Sequence, residues 1–392
     1  MDEFSQKKLL TCTQRTNMKL TCLQENLNLG LQTTGHLVNK NINLPILNNV
    51  LLEAKDGMLK LSSTNLEIGI VSQVRCKVDE EGSFTVDAKL LSDYISLLPN
   101  DQISFALEPD EFLKVACRSS ETKIKGMQAE DFPVIPSIER EKPFKVNIKE
   151  FKKAISQVLF AVANSETRPE IGGVYMNFNK FTPKSLFIVG TDSYRLAEKK
   201  VELEDAGEEK EIIVPLKTLQ ELARILGTIK EVIGAPEFLD IYISENQILF
   251  VTEGIELISR LIEGVYPDYR QIIPKETKTT VTVSVSELQK TIKTVALFSK
   301  TGIFDINMLF EPAKGLVVKA ANIQVGESTA TVDVEFIGQL NETTVNYRYL
   351  LDGLSNLGVE DATLSLVDSN IPLLLKSKDG GDYLYIIMPI KQ

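Results

Sequence analysis

The side chains best suited to catalysis are few in this chain and poorly placed for it. Of 392 residues one is a histidine, His36, and four are cysteines. Histidine is the side chain whose ordinary pKa sits near neutrality, so a chain with one has little with which to run proton transfer. Cys12, Cys22, Cys76 and Cys117 form no Cys-x-x-Cys pair and no metal-ligand spacing, the pattern of scattered thiols in a reducing compartment. Gly30 and Gly35 have the spacing of a phosphate-binding loop, yet His36 stands where its lysine belongs and Leu37 where its metal-binding hydroxyl belongs. That stretch reads as helix. The acidic runs at 79–81 and 202–211 lack the interleaved glycine and alternating ligands of a calcium loop and read as solvated. No nucleophile elbow, zinc-protease helix or dinucleotide fingerprint occurs. The expectation is no catalytic residue, no metal and no cofactor.

The elements that carry these residues repeat. A short alternating strand followed by an amphipathic helix is predicted near residues 20, 145 and 281. In these helices Leu27 and Leu31, Phe151 and Ile155, and Leu288 and Ile292 take the same i, i+4 core positions. A second strand and helix align without gaps on Val86, Val214 and Val345, which lie 128 and 131 residues apart. Three residues beyond each valine stands a base, Lys89, Lys217 or Arg348, and two beyond that a leucine, Leu91, Leu219 or Leu350. A strand–turn–strand block places Asn65, Asp192 and Asn322 at its turn, where such side chains bond the local backbone. Two further period-two strands complete each copy. A unit this long is a domain, not a solenoid repeat. The predicted fold class is α+β, three copies of two helices packed on antiparallel sheets. The predicted division is a tail at 1–17 and domains at 18–142, 143–274 and 275–392, with linkers at 138–144 and 274–280.

Charge is unevenly spread over these copies. The chain carries 43 basic and 54 acidic side chains, a net −11, which alone argues against a protein coated for nucleic acid. The predicted helices 148–163, 215–230 and 285–300 each carry +2, whereas 22–38 and 87–99 each carry −1 and 346–357 is neutral. The six helices therefore hold +4 and everything else −15. Lysine on solvent faces is common in helices, but segregation of this kind is what a sequence-independent contact with duplex phosphates needs. At 43% hydrophobic and 25% charged, with no apolar run near a membrane span, the composition is that of a soluble globular protein. The polar start reads as neither signal peptide nor anchor, so a cytoplasmic location is expected.

Four segments in order, NLPILNNVLLEA at 43–54, VGTDSYRLA at 189–197, LIEGVYPDYRQIIP at 261–274 and IIMPIKQ at the end, make the chain from about residue 18 onward resemble the bacterial sliding clamps, the beta subunits of DNA polymerase III. The resemblance implies a head-to-tail homodimer whose six similar domains close a ring on duplex DNA, with helices lining the hole. It implies a non-catalytic processivity factor that tethers polymerase, clamp loader and repair proteins through a Gln-Leu-Phe type peptide. The peptide pocket would fall on Ile171, Thr191, Ser193, Tyr194, Arg195, Leu196, Pro267, Gln271, Ile272, Asn370, Pro372, Ile386, Met388, Pro389 and Ile390. DNA-facing residues would be Lys40, Lys89, Lys149, Lys153, Arg168, Lys217, Arg224, Lys290, Lys293 and Arg348. The ring contact would map to Ile124 of one subunit against Leu297 and Phe298 of the other. Three departures stand out: Ser193-Tyr194 replaces the usual Gly-His, Asn41 replaces an arginine beside Lys40, and Ser165 aligns with a DNA-touching loop residue. The competing readings are an enzyme built on loop carboxylates with a metal, and a scaffold of α+β modules that never touches DNA.

Overall fold

The structure, a computed structural model, describes residues 18–37, 44–165, 167–205, 207–229 and 236–391. The expected tail at 1–17, Lys40, Asn41 and Lys230 lie outside these residues. Two compact units emerge, one taking the chain up to Glu139 together with Leu249–Ser259, the other taking Arg140–Ile248 and Arg260–Gln392.

In the first unit the helix α1, Gln24–Thr34, follows the strand Lys19–Leu23, and α2, Ala88–Leu97, follows Gly82–Asp87. The second unit repeats this twice, with α3 at Ile148–Leu159, α4 at Leu216–Thr228, α5 at Val285–Val295 and α6 at Tyr347–Leu357. In every copy the two helices pack on one another, and the first helix also lies on the second strand of the strand–turn–strand hairpin. The expected i, i+4 pairs are what hold them there: Leu27, Leu31, Phe151, Ile155, Leu288 and Ile292 are all essentially inaccessible. So are Val86, Val214, Val345 and the three leucines that follow them. Burial of each such side chain is worth about 1.5–3 kcal/mol, so the inward stripe rather than helix propensity fixes these elements.

Helix starts are marked by side chains that satisfy orphan backbone donors. Asp87 Oδ1 accepts from Leu90 N at 2.7 Å, Asn147 Oδ1 from Lys149 N at 3.0 Å and Asn346 Oδ1 from Arg348 N at 2.9 Å. Several helices end earlier than predicted. The first stops at Thr34 and continues as a tighter turn, Gly35–Leu37, while α3 stops at Leu159 rather than 163. Ala163 N turns instead to the carbonyls of Ile171 and Thr191, which ends the helical pattern.

The sheets are antiparallel throughout. In the three copies the strands Asn49–Lys55, Gly173–Phe178 and Asp305–Glu311 each sit between the hairpin and the strand that precedes the second helix. In the second unit one further pairing matters: Arg195–Glu202 lies beside Tyr383–Ile387, with Leu196 opposite Ile386. A single nine-stranded sheet thereby runs from the second copy into the third. Gly353 of α6 makes room for this junction, because a Cβ there would stand 2.4 Å from the Tyr385 ring.

Candidate peptide groove and cationic helix faces

The junction between those two strands positions the predicted pocket. The turn that joins Ser185–Thr191 to Arg195–Glu202 is closed by side chains. Asp192 Oδ1 accepts from Tyr194 N and Arg195 N at 2.9 and 3.0 Å, while Thr191 Oγ1 accepts from Ser193 N and donates to Arg195 O. Ser193 sits at φ +76°, a conformation glycine adopts without cost, and Tyr194 projects from the tip 64% exposed. Past Ile387 the chain end is strapped across this turn: Met388 N donates to Tyr194 O at 2.9 Å and Ile390 N to Thr344 O at 2.7 Å. Met388, Pro389 and Ile390 are half-buried, forming one wall.

Beneath lies an apolar floor. Leu196 and Ile386 pack in one cluster with Tyr266, Tyr269, Leu374 and Tyr175, and Ile273 packs against it. This brings the connector segment under the groove, leaving Pro267, Gln271 and Ile272 exposed at its edge. Gln271 Nε2 donates to Asp268 Oδ2 at 2.8 Å, and Tyr269 Oη donates to Glu198, whose carboxyl burial pushes upward. Ile171 is buried and its carbonyl shares Ala163 N with Thr191. Pro372 is buried just before the strand Leu373–Ser377, with Asn370 exposed beside it.

Arg195, expected in the pocket, is a hub whose distant partners the sequence did not disclose. Its side chain is 13% exposed, and its guanidinium donates to Asp192, to Asp352 of α6 and to the Phe160 carbonyl. It also lies over the Tyr349 ring at 4.5 Å and the Phe160 ring at 5.4 Å. A planar cation with five donors suits such a junction, and lysine could not fill it. Arg168 Nη1 donates to Ser193 Oγ at 3.0 Å and its Nε to Glu170, so Arg168 braces the turn from outside. A cavity of about 530 Å³ opens beside the groove, lined by Tyr175, Tyr266, Tyr269 and Phe181, and of the predicted pocket residues it takes in Pro267 alone.

The predicted DNA-facing residues fall into two kinds. Lys153, Lys217, Lys290 and Lys293 are exposed and form no ion pair among the described residues. Lys149, Lys152 and Lys153 share one face of α3, and Lys290 and Lys293 one face of α5, by their i, i+3 and i+4 spacing. Arg224, by contrast, is half-buried and held by Glu221 on its own helix. Lys89 is paired with Asp93 at 3.0 Å, and Arg348 lies flat on the Phe304 ring at 3.6 Å. Ser165 lies in the loop after α3 and bonds Thr167 and Arg168 N.

The three predicted ring-contact residues differ in exposure. Ile124 is 4% exposed and belongs to the first unit's core, because strand alternation turns it inward between the outward Lys123 and Lys125. Leu297 is 76% exposed and Phe298 half-buried beside Gly326. Among the described residues no three His, Cys, Asp or Glu side chains gather as a metal would require. No helix is long and apolar enough to cross a membrane.

Comparison with known proteins returns three domain matches in order. The N-terminal, central and C-terminal domain models of the DNA polymerase III beta subunit match residues 18–136, 145–268 and 270–391. The beta sliding clamp of Synechococcus elongatus is 30% identical over 379 residues, covering 95% of this chain and 99% of that protein. That of Synechocystis is 29% identical over 396 residues, with the same coverage. The DNA polymerase III subunit beta of Pseudomonas aeruginosa superposes with a TM-score of 0.89 at 29% identity, and that of Thermotoga maritima with 0.87 at 26%. Both cover 96% of this chain and are covered completely by it. With three tandem domain models in order, one fold throughout and relatives matched from end to end, the chain belongs to the DNA polymerase III beta subunit family, the sliding clamps.

Proposed function

We propose that this protein is the processivity clamp of a replicative DNA polymerase, a non-catalytic ring that holds duplex DNA by enclosure. The observation that carries the reading is that Lys153, Lys217, Lys290 and Lys293 on α3, α4 and α5 of an otherwise acidic chain are exposed and form no ion pair among the described residues. Phosphate contacts made by such lysines release counterions and prefer no base, so a ring bearing them is attracted to DNA yet free to move along it. Retention then comes from topology rather than from affinity.

The ring is read as two copies, each contributing modules at 18–142, 143–274 and 275–392. Leu297 and Phe298 lie beside the strand Gly326–Val332, which is at the edge of its four-stranded sheet. The matching half on the first unit is the open side of Ser120–Met127, whose residues before Gly126 pair with Phe112–Cys117 on one side only. Strand edges with unpaired backbone groups add to one another readily, so this edge, with Ile124 packed behind it, is the surface offered to Leu297 and Phe298 of the other copy. The groove along Tyr194, Leu196 and Met388 is read as the site for a leucine–phenylalanine anchor on polymerase or clamp loader, Met388 reshaping to different partners.

The test is topological. Protein loaded on nicked circular duplex is expected to stay bound through gel filtration and to be lost once the circle is cut. Equal retention on circular and linear DNA overturns encirclement, and no retention on either favours a scaffold that does not bind DNA.

A further inference from the structure

Two of the cysteines are set opposite one another across a pair of strands. Lys19–Leu23 and Lys77–Glu80 run antiparallel with Leu20 opposite Val78 and Thr21 opposite Lys77. The next step of that register places Cys22 opposite Cys76, which immediately precedes the second strand. Partners in an antiparallel pair point to the same face of the sheet, and here Leu20, Cys22, Cys76 and Val78 all pack in the first unit's core. Directly opposed Cα atoms stand about 4.5–5.5 Å apart, inside the span a disulfide bridges. Cys76 is held in place by its own N–H, which donates to Gly57 O at 3.0 Å. It is also partly exposed, whereas Cys22 is 5% exposed behind it. Both are free thiols.

Cys117 is not equivalent. Cys22 faces Ile103 on its other side, and Ile103 in turn neighbours Cys117, because Ser104 pairs with Ala116. Two strand spacings, about 9.6 Å, separate Cys22 from Cys117, well beyond disulfide reach.

We propose that Cys22 and Cys76 form an oxidative modification site, a cross-strand dithiol that hydrogen peroxide converts to an intramolecular disulfide. The accessible Cys76 thiolate attacks one peroxide oxygen, forming an S–O bond as the O–O bond breaks. The departing hydroxide takes up a proton and leaves as water, and Cys76 is then a sulfenic acid. The Cys22 thiolate attacks that sulfur, the S–S bond forms, the S–O bond breaks and a second water leaves. Two thiols and one peroxide give one disulfide and two waters, the sulfurs losing the two electrons that the peroxide gains. Burial, with Cys76 alongside, pushes the Cys22 thiol up to about 12, and burial raises Cys76 too, which makes the exchange slow rather than absent. The bond would fasten the first strand of the first unit to the segment that follows its hairpin.

The test uses the full-length protein treated with hydrogen peroxide, quenched with N-ethylmaleimide and digested without reduction. A Cys22–Cys76 linked peptide, lighter by two hydrogens than its two free halves and returned to them by dithiothreitol, is expected. Cys76→Ser should abolish it, while Cys117→Ser should leave it intact. Recovery of Cys22 and Cys76 as separate alkylated peptides, Cys76 as a sulfinic acid with Cys22 still free, or either one linked to Cys12 or Cys117, overturns the proposal. The dithiothreitol reversal needs no variant, so a misfolded substitution does not blunt it.

Discussion

The two compact units are built to one local plan and present different surfaces. In the first, α1 shows Glu25, Asn26, Leu29 and Gln32 to solvent, and α2 shows Leu90, Leu97 and a lysine already paired with Asp93. In the second, α3, α4 and α5 show Lys149, Lys152, Lys153, Lys217, Lys290 and Lys293. Their inward faces are interchangeable in pattern: Leu27 and Leu31 do for α1 what Phe151 and Ile155 do for α3. The difference teaches that fold and function are written on opposite faces of the same helices. Inward positions are constrained by packing in every copy, while outward positions are free to diverge, and here the charge and the groove have both gathered in the second unit.

The harshest way to break that contrast is to remove its charge. On the proposed reading, reversing Lys149, Lys153 and Lys217 to glutamate would replace three attractive phosphate contacts with repulsive ones. Each lost contact is expected to lower the salt slope of DNA binding by about one, so retention on circular duplex should fall at least tenfold at moderate salt. All three positions are solvent-exposed, so thermal stability should hardly move. Measuring retention from 50 to 200 mM salt beside a melting curve separates the two. Unchanged retention would show that the second unit's lysines are mere solvated helix surface.

Truncating the groove is the next largest effect and also confined to the second unit. Met388→Ala trims one of the three side chains of the groove's wall while leaving the Met388 N to Tyr194 O bond in place. A residue of this kind at the centre of a peptide site costs of order 1–2 kcal/mol, so binding of a Gln-Leu-Phe peptide should weaken roughly tenfold by calorimetry. The mass of the assembly in solution should stay the same. Full peptide affinity in the variant would make Met388 a strand-end core residue and nothing more.

How far the sequence could be read follows the same division between inward and outward faces. The core pairs and the turn residues Asn65, Asp192 and Asn322 are legible because their chemistry is local. Arg195 was placed in the pocket, yet its partner Asp352 lies 157 residues away and no spacing rule reaches it. Arg224 is expected to face DNA, yet Glu221, three residues earlier on the same helix, holds its guanidinium. Ile124 is expected at the ring contact by resemblance, while the period-two pattern of its own strand turns its side chain inward. The fold was thus readable from near neighbours, and the site only where near neighbours suffice.

A smaller effect compares one turn in both units. Leu66 and Ser193 occupy the same place after Thr-Asn and Thr-Asp, at φ +75° and +76°, and each N–H is taken by the preceding threonine hydroxyl. A side chain in that conformation costs roughly 1–2 kcal/mol, against about 0.5–1 kcal/mol for the extra freedom glycine brings to the unfolded chain. Leu66→Gly should therefore stabilise by about 0.5 kcal/mol, since Leu66 is half exposed. Ser193→Gly should gain less, because it also forfeits the bond from Arg168 to Ser193 Oγ. Chemical denaturation of the two variants ranks them directly. A larger gain at 193 would mean that the Arg168 brace contributes nothing to the turn.

The smallest expected effect is the one that isolates the first unit. Lys89 stands at the register shared with Lys217 and Arg348, and on sequence alone the three should behave alike. In the structure its ammonium is already engaged by Asp93 one helical turn on, in a pairing exposed to water and salt. A DNA phosphate competing for Lys89 would first have to displace that carboxylate, whereas one approaching Lys217 meets no competitor among the described residues. Lys89→Glu is therefore expected to change retention on circular DNA by less than about twofold, against the larger loss from Lys217→Glu alone. Equal losses from the two single variants would mean that Asp93 yields its partner freely when DNA is present. The first unit would then carry its share of the cationic surface despite its neutral appearance, and register rather than local pairing would decide which helices meet the duplex.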